Sequence, residues 1–222
     1  MAYNFDNIAS TYDSLNHIMS MGIDRCWRRR ATRKVVTPDT PQHFLDVAVG
    51  TGDFAYDILA VSHPDAKLVG VDLSDEMMKI ARVKLDDRAT LMQANAEALP
   101  FPDNYFDCVS VAFGIRNFVN RQTALREMLR VLKPGGKLVI LELSSPDNAL
   151  LFALFKLYLT KFIPLVGGLI SGRRDAYHYL ASSILRFPKP NVFKPEILQS
   201  GFREVSVSDL TFGVCRMYIA VK

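Results

Sequence analysis

The sequence predicts an α/β fold on a mostly parallel, seven-stranded sheet with helices on both faces. Five short apolar segments have the character of strands, near residues 43–48, 67–72, 90–93, 106–112 and 136–143. Helical patterns separate them at 53–61, 74–84 and 120–132. This alternation is typical of repeated βαβ units, in which successive strands run parallel.

The predicted helix ends carry ordinary start and stop signals. Ser74 precedes the second helix, where its hydroxyl can cap the first turn, and Asp75 and Glu76 suit the helix dipole. Lys133-Pro134-Gly135-Gly136 follows the third helix and ends it. These signals place a crossover helix between successive strands.

Two more strands are predicted near the C-terminus, because polar and apolar residues alternate over 201–207 and 215–221. They can pair as an antiparallel ribbon on the sheet edge, which gives the sheet an antiparallel C-terminal strand. We therefore expect one domain over 1–222. It would carry an N-terminal helical lid at 1–36 and a helical insertion at 147–195, ahead of the last two strands.

Composition favours a cytoplasmic protein. The chain has 222 residues, 49% of them hydrophobic, which is enough for a sizeable core. Cys26, Cys108 and Cys215 are odd in number and lack metal-ligand spacing, so we expect reduced, buried thiols and no metal site. The first six residues do not resemble a secretory signal.

A basic segment surrounds Trp27. It contains Arg25, Arg28, Arg29, Arg30, Arg33 and Lys34. Three interpretations are open: a solvated helix face with Trp27 and Cys26 turned inward, a nucleic-acid surface, or attraction to anionic lipid headgroups. We favour the solvated face and expect no nucleic-acid partner, because aromatic residues are not interleaved with the basic ones.

The stretch from Leu150 to Ile170 is almost entirely apolar and long enough to suggest a membrane span. Two lysines near its middle, Lys156 and Lys161, oppose that interpretation, since each costs about 3 kcal/mol in a bilayer. Pro164 would also interrupt a helix. We expect two short apolar helices that cover a substrate site, rest on a bilayer surface, or simply cover the core.

A glycine turn lies between the first strand and its helix. Gly50 and Gly52 can adopt positive φ and let a ligand approach the backbone. With Asp72 about 20 residues further on, the pattern satisfies the dinucleotide fingerprint. On this pattern alone, a nucleotide-dependent reductase is possible.

Asp53 decides between the two ligands at this turn. A carboxylate at the helix N-terminus is unfavourable for a phosphate. S-adenosyl-L-methionine carries a ribose for Asp72 but no phosphate, and its positive charges suit Asp46 and Asp53. The turn therefore favours this methyl donor over NAD.

Several motifs resemble those of the ubiquinone/menaquinone biosynthesis C-methyltransferases. Besides the glycine turn, they are Phe5-Asp6-x-Ile8-Ala9-x-x-Tyr12-Asp13-x-Leu15-Asn16, Ala94-Asn95-Ala96-Glu97-Ala98-Leu99-Pro100-Phe101-Pro102, Phe113-Gly114-Ile115-Arg116-Asn117 and Arg130-Val131-Leu132-Lys133-Pro134-Gly135-Gly136. The resemblance covers essentially the whole chain. Its narrowest parts are 113–117 and 177–188, which point to the quinone branch.

The resemblance implies a class I, Rossmann-like methyltransferase fold, S-adenosyl-L-methionine as cofactor and no metal. The reaction would methylate the ring of a polyprenylated quinol in respiratory quinone biosynthesis, with demethylmenaquinol to menaquinol as our first expectation. Alternatives are a class I methyltransferase for another small or lipid-like molecule and an RNA-associated regulatory domain. Expected partners are the quinol, the inner face of the membrane through peripheral contact, and a second copy in a homodimer.

The resemblance also implies roles for individual residues. For the cofactor, Thr51 lies in the turn, Asp72 holds the ribose hydroxyls, and Asn95 and Ala96 lie beside the adenine. Tyr12 closes over the sulfonium, and Asp46, Gly50 and Gly52 complete the predicted cofactor site.

The expected catalytic residues come from the two narrow motifs. Arg116 follows the fourth strand, at the edge where such sheets bind ligands, and would stabilise a quinol oxyanion, with Asn117 orienting it. The candidate proton acceptors are His17, near the N-terminus, and His178 and Tyr177 in the insertion.

Overall fold

The computed structural model describes residues 20–165, 168 and 174–222. The strands are β1 (His43–Val47), β2 (Lys67–Asp72), β3 (Ala89–Gln93), β4 (Phe106–Ala112), β5 (Leu132–Leu143), β6 (Glu204–Leu210) and β7 (Cys215–Val221). The helices are α1 (Asp24–Val35), α2 (Asp53–Leu59), α3 (Asp75–Leu85), α4 (Arg121–Val131), α5 (Ala149–Leu157), α6 (Arg174–Arg186) and α7 (Pro190–Gln199).

The strands form one sheet in the order β3-β2-β1-β4-β5-β7-β6. Strands β1 to β5 pair in parallel, and β7 runs antiparallel to both β5 and β6. The predicted seven-stranded α/β sheet with an antiparallel C-terminal strand is therefore confirmed. Because the strand order reverses between β1 and β4, a crevice for ligands is expected at the carboxyl ends of these two strands.

The helix signals act largely as predicted. The Ser74 hydroxyl accepts a hydrogen bond from the Met77 backbone N–H at the start of α3. Asn120 caps α4 in the same way, through the Thr123 N–H. Strand β5 begins at Leu132, earlier than the expected residue 136, because the chain becomes extended as soon as α4 ends. Pro134 lies in that early part, and the pairing register with β4 shifts there.

The first half of the insertion is helical, and the predicted break between two apolar helices, at Pro164 and Gly167-Gly168, lies partly outside the described residues. Helix α5 continues directly into a π-helical turn, Tyr158–Phe162. Pro164 has no N–H to donate to the carbonyl one turn earlier, and a widened turn next to it accommodates this loss. In the described part of the chain, no helix combines the length and apolar character needed to cross a bilayer.

Helix α1 packs one face against the sheet. Asp24, Trp27, Arg28 and Ala31 are spaced for a single helix face and are buried. Trp27 faces inward as predicted, and its Nε1 donates to Thr211 Oγ1 at 2.9 Å. The expectation that Cys26 is buried is wrong, because it lies off this face and is exposed.

The basic segment is consequently divided in two. Arg28 lies on the buried face of α1 and does not contribute to a basic surface. The other five side chains are exposed, namely Arg25, Arg29, Arg30, Arg33 and Lys34.

Arg216 on β7 fastens the antiparallel edge to the start of the insertion. Its fully buried guanidinium donates to Asp209 at 2.9 Å, to Asp147 at 2.6 Å and to the Ser144 hydroxyl at 2.6 Å. The partners come from β6 and from the segment that leaves β5. A buried charge bound by several partners costs several kcal/mol to disrupt when only one partner is removed.

Replacing Arg216 by methionine leaves Asp147 and Asp209 without this cation, so we expect the free energy of unfolding to fall by about 3–5 kcal/mol. Arg203→Met is the matched control, because Arg203 pairs with Glu204 at the surface and should contribute less than about 1 kcal/mol. Urea unfolding measures both variants. Equal losses would contradict the role of Arg216.

Candidate active site

The glycine turn has the predicted geometry. Gly50 and Gly52 have φ of 53° and 85°, and a Cβ on Gly52 would lie 3.1 Å from the Ala81 Cβ. Asp72 holds the turn from β2, because its carboxylate accepts from the Gly50 N–H at 2.8 Å and the Ser74 N–H at 2.9 Å. Asp72 therefore lies at the strand end, next to the turn, as predicted.

A small cavity of about 70 Å³ adjoins the turn. It is lined by Asp24, Arg28, Asp46, Ala48, Val49, Gly50, Thr51, Asp53, Phe54, Ala112 and Phe113. Three of the predicted cofactor residues, Asp46, Gly50 and Thr51, come together here. This grouping is consistent with a ligand at the turn.

Asp46 is a buried carboxyl group in this cavity. Burial raises its pKa to about 7, and the nearby charge of Asp72 acts in the same direction. The Ser110 hydroxyl, which donates to Asp46 at 2.6 Å, and the Ala55 backbone N–H lower the pKa and partly offset the effect of burial. Asp46 is therefore set to change its charge near neutral pH.

Asp53 is less isolated than the sequence suggested. One of its oxygens pairs with Lys84, and the other lies 3.3 Å from Arg28 Nη2. These two cations offset the carboxylate charge at the start of α2. Asp53 alone is therefore a weaker argument against a phosphate ligand. The preference for S-adenosyl-L-methionine over a dinucleotide depends more on Asp46 and Asp72.

The predicted adenine-binding residues lie outside the turn cavity. Asn95 is exposed, and its side-chain oxygen accepts from the Glu97 N–H. Ala96 is buried in the core. Both follow β3 at the same sheet edge as Asp72, since the Ala94 N–H donates to the Asp72 carbonyl at 3.1 Å. Tyr12, the predicted lid residue, lies outside the described residues.

A second, apolar cavity of about 340 Å³ lies between α1, the carboxyl edge of the sheet and the insertion. Its walls come mainly from apolar side chains, including Ile23, Trp27, Phe113, Leu143, Pro146, Leu151, Leu154, Phe155, Leu159, Ile163, Leu180, Ile184, Phe212 and Val214. Among the described lining residues, Asp24 and Arg116 are the two that carry charge.

Arg116 is bound in a buried ion pair with Glu142. The two side chains are 3% and 0% exposed, and Nη1 of Arg116 lies 2.6 Å from a Glu142 oxygen. The Arg116 guanidinium also donates to the Phe113 carbonyl. Arg116 is therefore a buried cation at the point where the cavity meets the sheet.

Among the described residues, the hydrogen bond of the Asn117 side chain does not go to Arg116. Its Oδ1 instead accepts from the Tyr179 hydroxyl at 3.1 Å. This bond joins the two narrow motifs, from the β4 end and from α6. Glu142 has the orienting role for Arg116 that the sequence had suggested for Asn117.

The structure does not support His178 or Tyr177 as proton acceptors in the apolar cavity. Tyr177 is buried against Leu159 and Ile163 and does not line the cavity. His178, one residue further along α6, is exposed. The helical turn directs Leu180 and Ile184 into the cavity and His178 away from it.

The two cavities adjoin, because Asp24 and Phe113 line both of them. Phe113 and Ala48 have backbone conformations that favour glycine: φ is 58° at Phe113, just after β4, and 56° at Ala48, just after β1. Such conformations cost about 1–3 kcal/mol and concentrate at functional sites. The junction of the cavities therefore coincides with local backbone strain.

Three important residues were missed by the sequence analysis. Asp24 and Arg28 pair along α1 at a spacing of four residues, a signal that the density of basic residues around them obscured. Glu142 looked like one polar residue in an apolar strand. Within residues 20–165 and 174–222, no group of His, Cys, Asp or Glu could hold a metal ion.

The model of the ubiE/COQ5 methyltransferase family matches residues 2–222. The chain belongs to this family. Similar members include the demethylmenaquinone methyltransferase of Bacteroides fragilis, 45% identical over 98% of this chain and 90% of that protein. The ubiquinone/menaquinone biosynthesis C-methyltransferase UbiE of Geobacter sulfurreducens is 44% identical over 98% of this chain and 86% of its own. The predicted methyltransferase family is therefore confirmed.

Solved methyltransferase structures share the fold of this ubiE/COQ5 family member. A SAM-dependent methyltransferase of Thermotoga maritima has a TM-score of 0.69 at 19% identity, over 98% of this chain and 97% of its own. A Haemonchus contortus phosphoethanolamine N-methyltransferase with S-adenosyl-L-methionine bound has a TM-score of 0.67 at 17% identity, over 88% and 52%. The class I methyltransferase fold is confirmed.

The raised pKa of Asp46 predicts how stability depends on pH. The folded chain binds this proton more tightly than the unfolded chain, whose carboxyl has the ordinary value of 3.8. The stabilisation is complete below about pH 4 and is lost as pH rises through about 7, by at most about 4 kcal/mol.

We expect the unfolding free energy of the parent chain, minus that of Asp46→Asn, to fall between about pH 4 and about pH 7 and then to level off. Chemical denaturation at several pH values measures it. Ser110→Ala removes a hydrogen bond to the ionised form and should move the decline to higher pH. Parallel curves for the parent and Asp46→Asn would contradict the assignment.

Proposed function

We propose that this chain transfers a methyl group from S-adenosyl-L-methionine to a ring carbon of a polyprenylated quinol, with demethylmenaquinol as the first candidate. The names of its relatives support this reaction. The observation that carries the proposal is the junction at Asp24 and Phe113, where the cavity at the glycine turn, which holds several charged side chains, meets a largely apolar one. Donor and acceptor would approach each other there.

The residues at the turn suit the methyl donor. Each Asp72 oxygen accepts one backbone N–H, and a carboxylate oxygen can accept a second bond from a ribose hydroxyl. Asp46 places a titratable carboxyl group where the positive charges of the donor would lie. The glycines let the ligand approach the backbone. When bound, S-adenosyl-L-methionine supplies an electrophilic methyl group.

Arg116 suits the acceptor. Methylation at carbon draws electron density from a quinol hydroxyl, and negative charge on that oxygen would be stabilised by a guanidinium held in place beforehand. Glu142 provides this orientation through the buried ion pair. Apolar walls exclude water and strengthen the electrostatic interaction. Asn95 and Ala96 near the adenine, and Tyr12 over the sulfonium, stay predictions.

The domain organisation proposed from the sequence fits the same arrangement. Helix α1 belongs to the proposed lid at 1–36 and contributes Asp24 and Trp27 to the apolar cavity. Helices α5 and α6 belong to the proposed insertion at 147–195 and contribute much of the remaining wall. We propose that the insertion forms the quinol site.

Peripheral membrane contact is the finer part of the proposal. Met21, Leu154 and Phe212 line the apolar cavity and are also 77%, 58% and 81% exposed. A prenyl tail could pass between such residues directly from lipid. Exposed Lys156 and Lys161 lie near this apolar surface in the chain and suit anionic headgroups. The homodimer expected from the sequence stays a prediction, which light scattering can test.

Methyl transfer tests the reaction. With labelled S-adenosyl-L-methionine and demethylmenaquinol in detergent, the parent chain should methylate the quinol. The paired variant Arg116→Gln/Glu142→Gln removes both buried charges together and so leaves neither one unpaired. It should fold but lose about 10²–10³-fold in kcat.

The control is Arg121→Gln/Glu196→Gln, which removes another partly buried ion pair, one that does not line the apolar cavity. We expect its kcat to stay within about threefold of the parent, as for a pair of modest energy. No turnover by the folded parent with any polyprenyl quinol would refute the proposed substrate. Turnover with other lipid-like acceptors only would favour the alternative methyltransferase.

Vesicle binding tests the membrane contact. Leu157→Ser/Phe162→Ser removes two exposed apolar side chains that do not line the cavity. We expect at least about tenfold weaker partitioning to phosphatidylglycerol vesicles, since each buried side chain contributes about 1.5–3 kcal/mol. Val83→Ser/Val119→Ser, at exposed positions elsewhere, should bind normally. Equal binding by all three proteins would exclude this surface.

A further inference from the structure

The strongest unassigned feature is the carboxylate of Asp24. It is 3% exposed and borders both cavities, at the point where a methyl group would pass from donor to acceptor. The mechanism outlined above has an oxyanion stabiliser, Arg116, but no proton acceptor. Of the three residues suggested by the sequence, His178 and Tyr177 do not line the apolar cavity, and His17 lies outside the described residues.

Two neighbours fix the orientation of Asp24. The Ser20 hydroxyl donates to Oδ1 at 2.6 Å, and Nη1 of Arg28 donates to Oδ2 at 2.6 Å. Arg28 is itself held on α2 by Asp57 at 2.7 Å and by Asp53 at 3.3 Å. Asp24 is thus tied through Arg28 to α2, the helix that begins at the glycine turn.

Resting on the proposed quinol methylation, we propose that Asp24 is a catalytic residue that accepts the hydroxyl proton of the quinol as its ring carbon is methylated. Both ends of a quinol hydroxyl would then have a partner in the apolar cavity. Asp24 would accept the proton, and Arg116 would bind the oxygen. These are the two charged side chains among the described residues that line it.

Proton transfer during methylation explains why a carboxylate is a sufficient base. A free phenol titrates near pH 10, so only about one in a thousand is ionised at pH 7. As the ring carbon bonds to the methyl carbon, positive character spreads to the hydroxyl oxygen and makes its proton far more acidic. A carboxylate in hydrogen-bond reach can then take the proton within the same step.

The step balances in atoms and electrons. The O–H electron pair moves into the ring, the ring carbon bonds to the methyl carbon, and the sulfur–methyl bond breaks with its electron pair left on sulfur. The resulting dienone loses the hydrogen of the methylated carbon as a proton to water, and its ring electrons return to aromaticity. Asp24 gives its proton back to the oxygen, so one proton is released overall.

Asp24→Asn removes the base and keeps the size of the side chain. We expect kcat near pH 7 to fall about 10²–10⁴-fold. Asp57→Asn is the structural comparison, since it removes another carboxylate of Arg28 from a position outside both cavities. Any loss of kcat in this variant reports the weakened pairing of Arg28 alone, and we expect that loss to be at least about tenfold smaller than the loss in Asp24→Asn.

The pH profile separates a base from a structural role. The ratio of kcat in Asp24→Asn to kcat in the parent should rise about tenfold per pH unit toward pH 10, as the hydroxyl ionises by itself. A ring-halogenated quinol, which ionises at lower pH, should rescue the variant. The other titratable groups that line the two cavities are present in both proteins, so their effects cancel in this ratio; they are Arg28, Asp46, Asp53, Arg116 and Tyr158.

Binding provides a readout independent of turnover. Trp27 is the single tryptophan and lines the apolar cavity, so quenching of its fluorescence reports quinol binding. We expect the dissociation constants of Asp24→Asn for quinol and for S-adenosyl-L-methionine, the latter by calorimetry, to stay within about fivefold of the parent. If Asp24→Asn does not fold, Asp24→Glu takes its place and should keep at least one tenth of kcat.

Three results would overturn the proposal: full activity of Asp24→Asn, equal losses in Asp24→Asn and Asp57→Asn, or a loss in Asp24→Asn that neither high pH nor the halogenated quinol reduces. For Asp24→Glu, a loss greater than a hundredfold in a folded protein has the same meaning. Absence of turnover by the parent chain is a different outcome, because it refutes the proposed reaction itself.

Discussion

The ion pairs of Arg28 fix helix α1 relative to helix α2, and residues of these two helices line the two cavities. This one guanidinium contacts Asp24 on α1 and Asp53 and Asp57 on α2. Helix α2 begins at the glycine turn, and the first turn of α1 forms part of the apolar wall. If α1 shifted relative to α2, the cavity at the glycine turn and the apolar cavity would no longer share Asp24. The site therefore depends on an interaction between helices more than on the sheet alone.

Two other buried arginines form ion pairs near the carboxyl ends of the parallel strands. Arg116 is tied to Glu142 behind the apolar cavity, and Arg216 ties the insertion to β6 and β7. Removing such ions from water is costly, and replacing a whole pair with apolar residues often does not reduce stability. The pairs are better explained by the precise positions they give to charged groups in apolar surroundings, where electrostatic interactions are strong.

Much of the fold was predictable from sequence because local signals and tertiary packing agree there. The β2 boundaries follow from an apolar run that ends at Asp72, and the α3 start follows from the Ser74 cap. The glycine turn was equally visible, since positive φ restricts the choice of residue. In the insertion, the π-helical turn at Tyr158–Phe162 was not predictable, because no local sequence signal distinguishes such a turn from a turn of α-helix.

The catalytic side of the site was harder to predict, for a physical reason. By residue type, His178 was a reasonable candidate for the proton acceptor. It lies two residues before Leu180, which lines the cavity, and its own side chain points away. No sequence motif shows how a helix is rotated relative to a distant sheet. Asp24 and Arg28 looked like members of a charged surface segment. Their burial depends on contacts with α2, nearly 30 residues away in the chain, which periodicity cannot reveal.

The proposed chemistry and the proposed route of the substrate share one requirement, which is an apolar environment. A quinol with a prenyl tail partitions into lipid, so a cavity rimmed by exposed Met21, Leu154 and Phe212 would offer it a continuous apolar path. The same walls keep water from the ring carbon and from the donor methyl group. In that setting one carboxylate and one guanidinium suffice, because low polarity makes proton acceptance and oxyanion stabilisation interdependent.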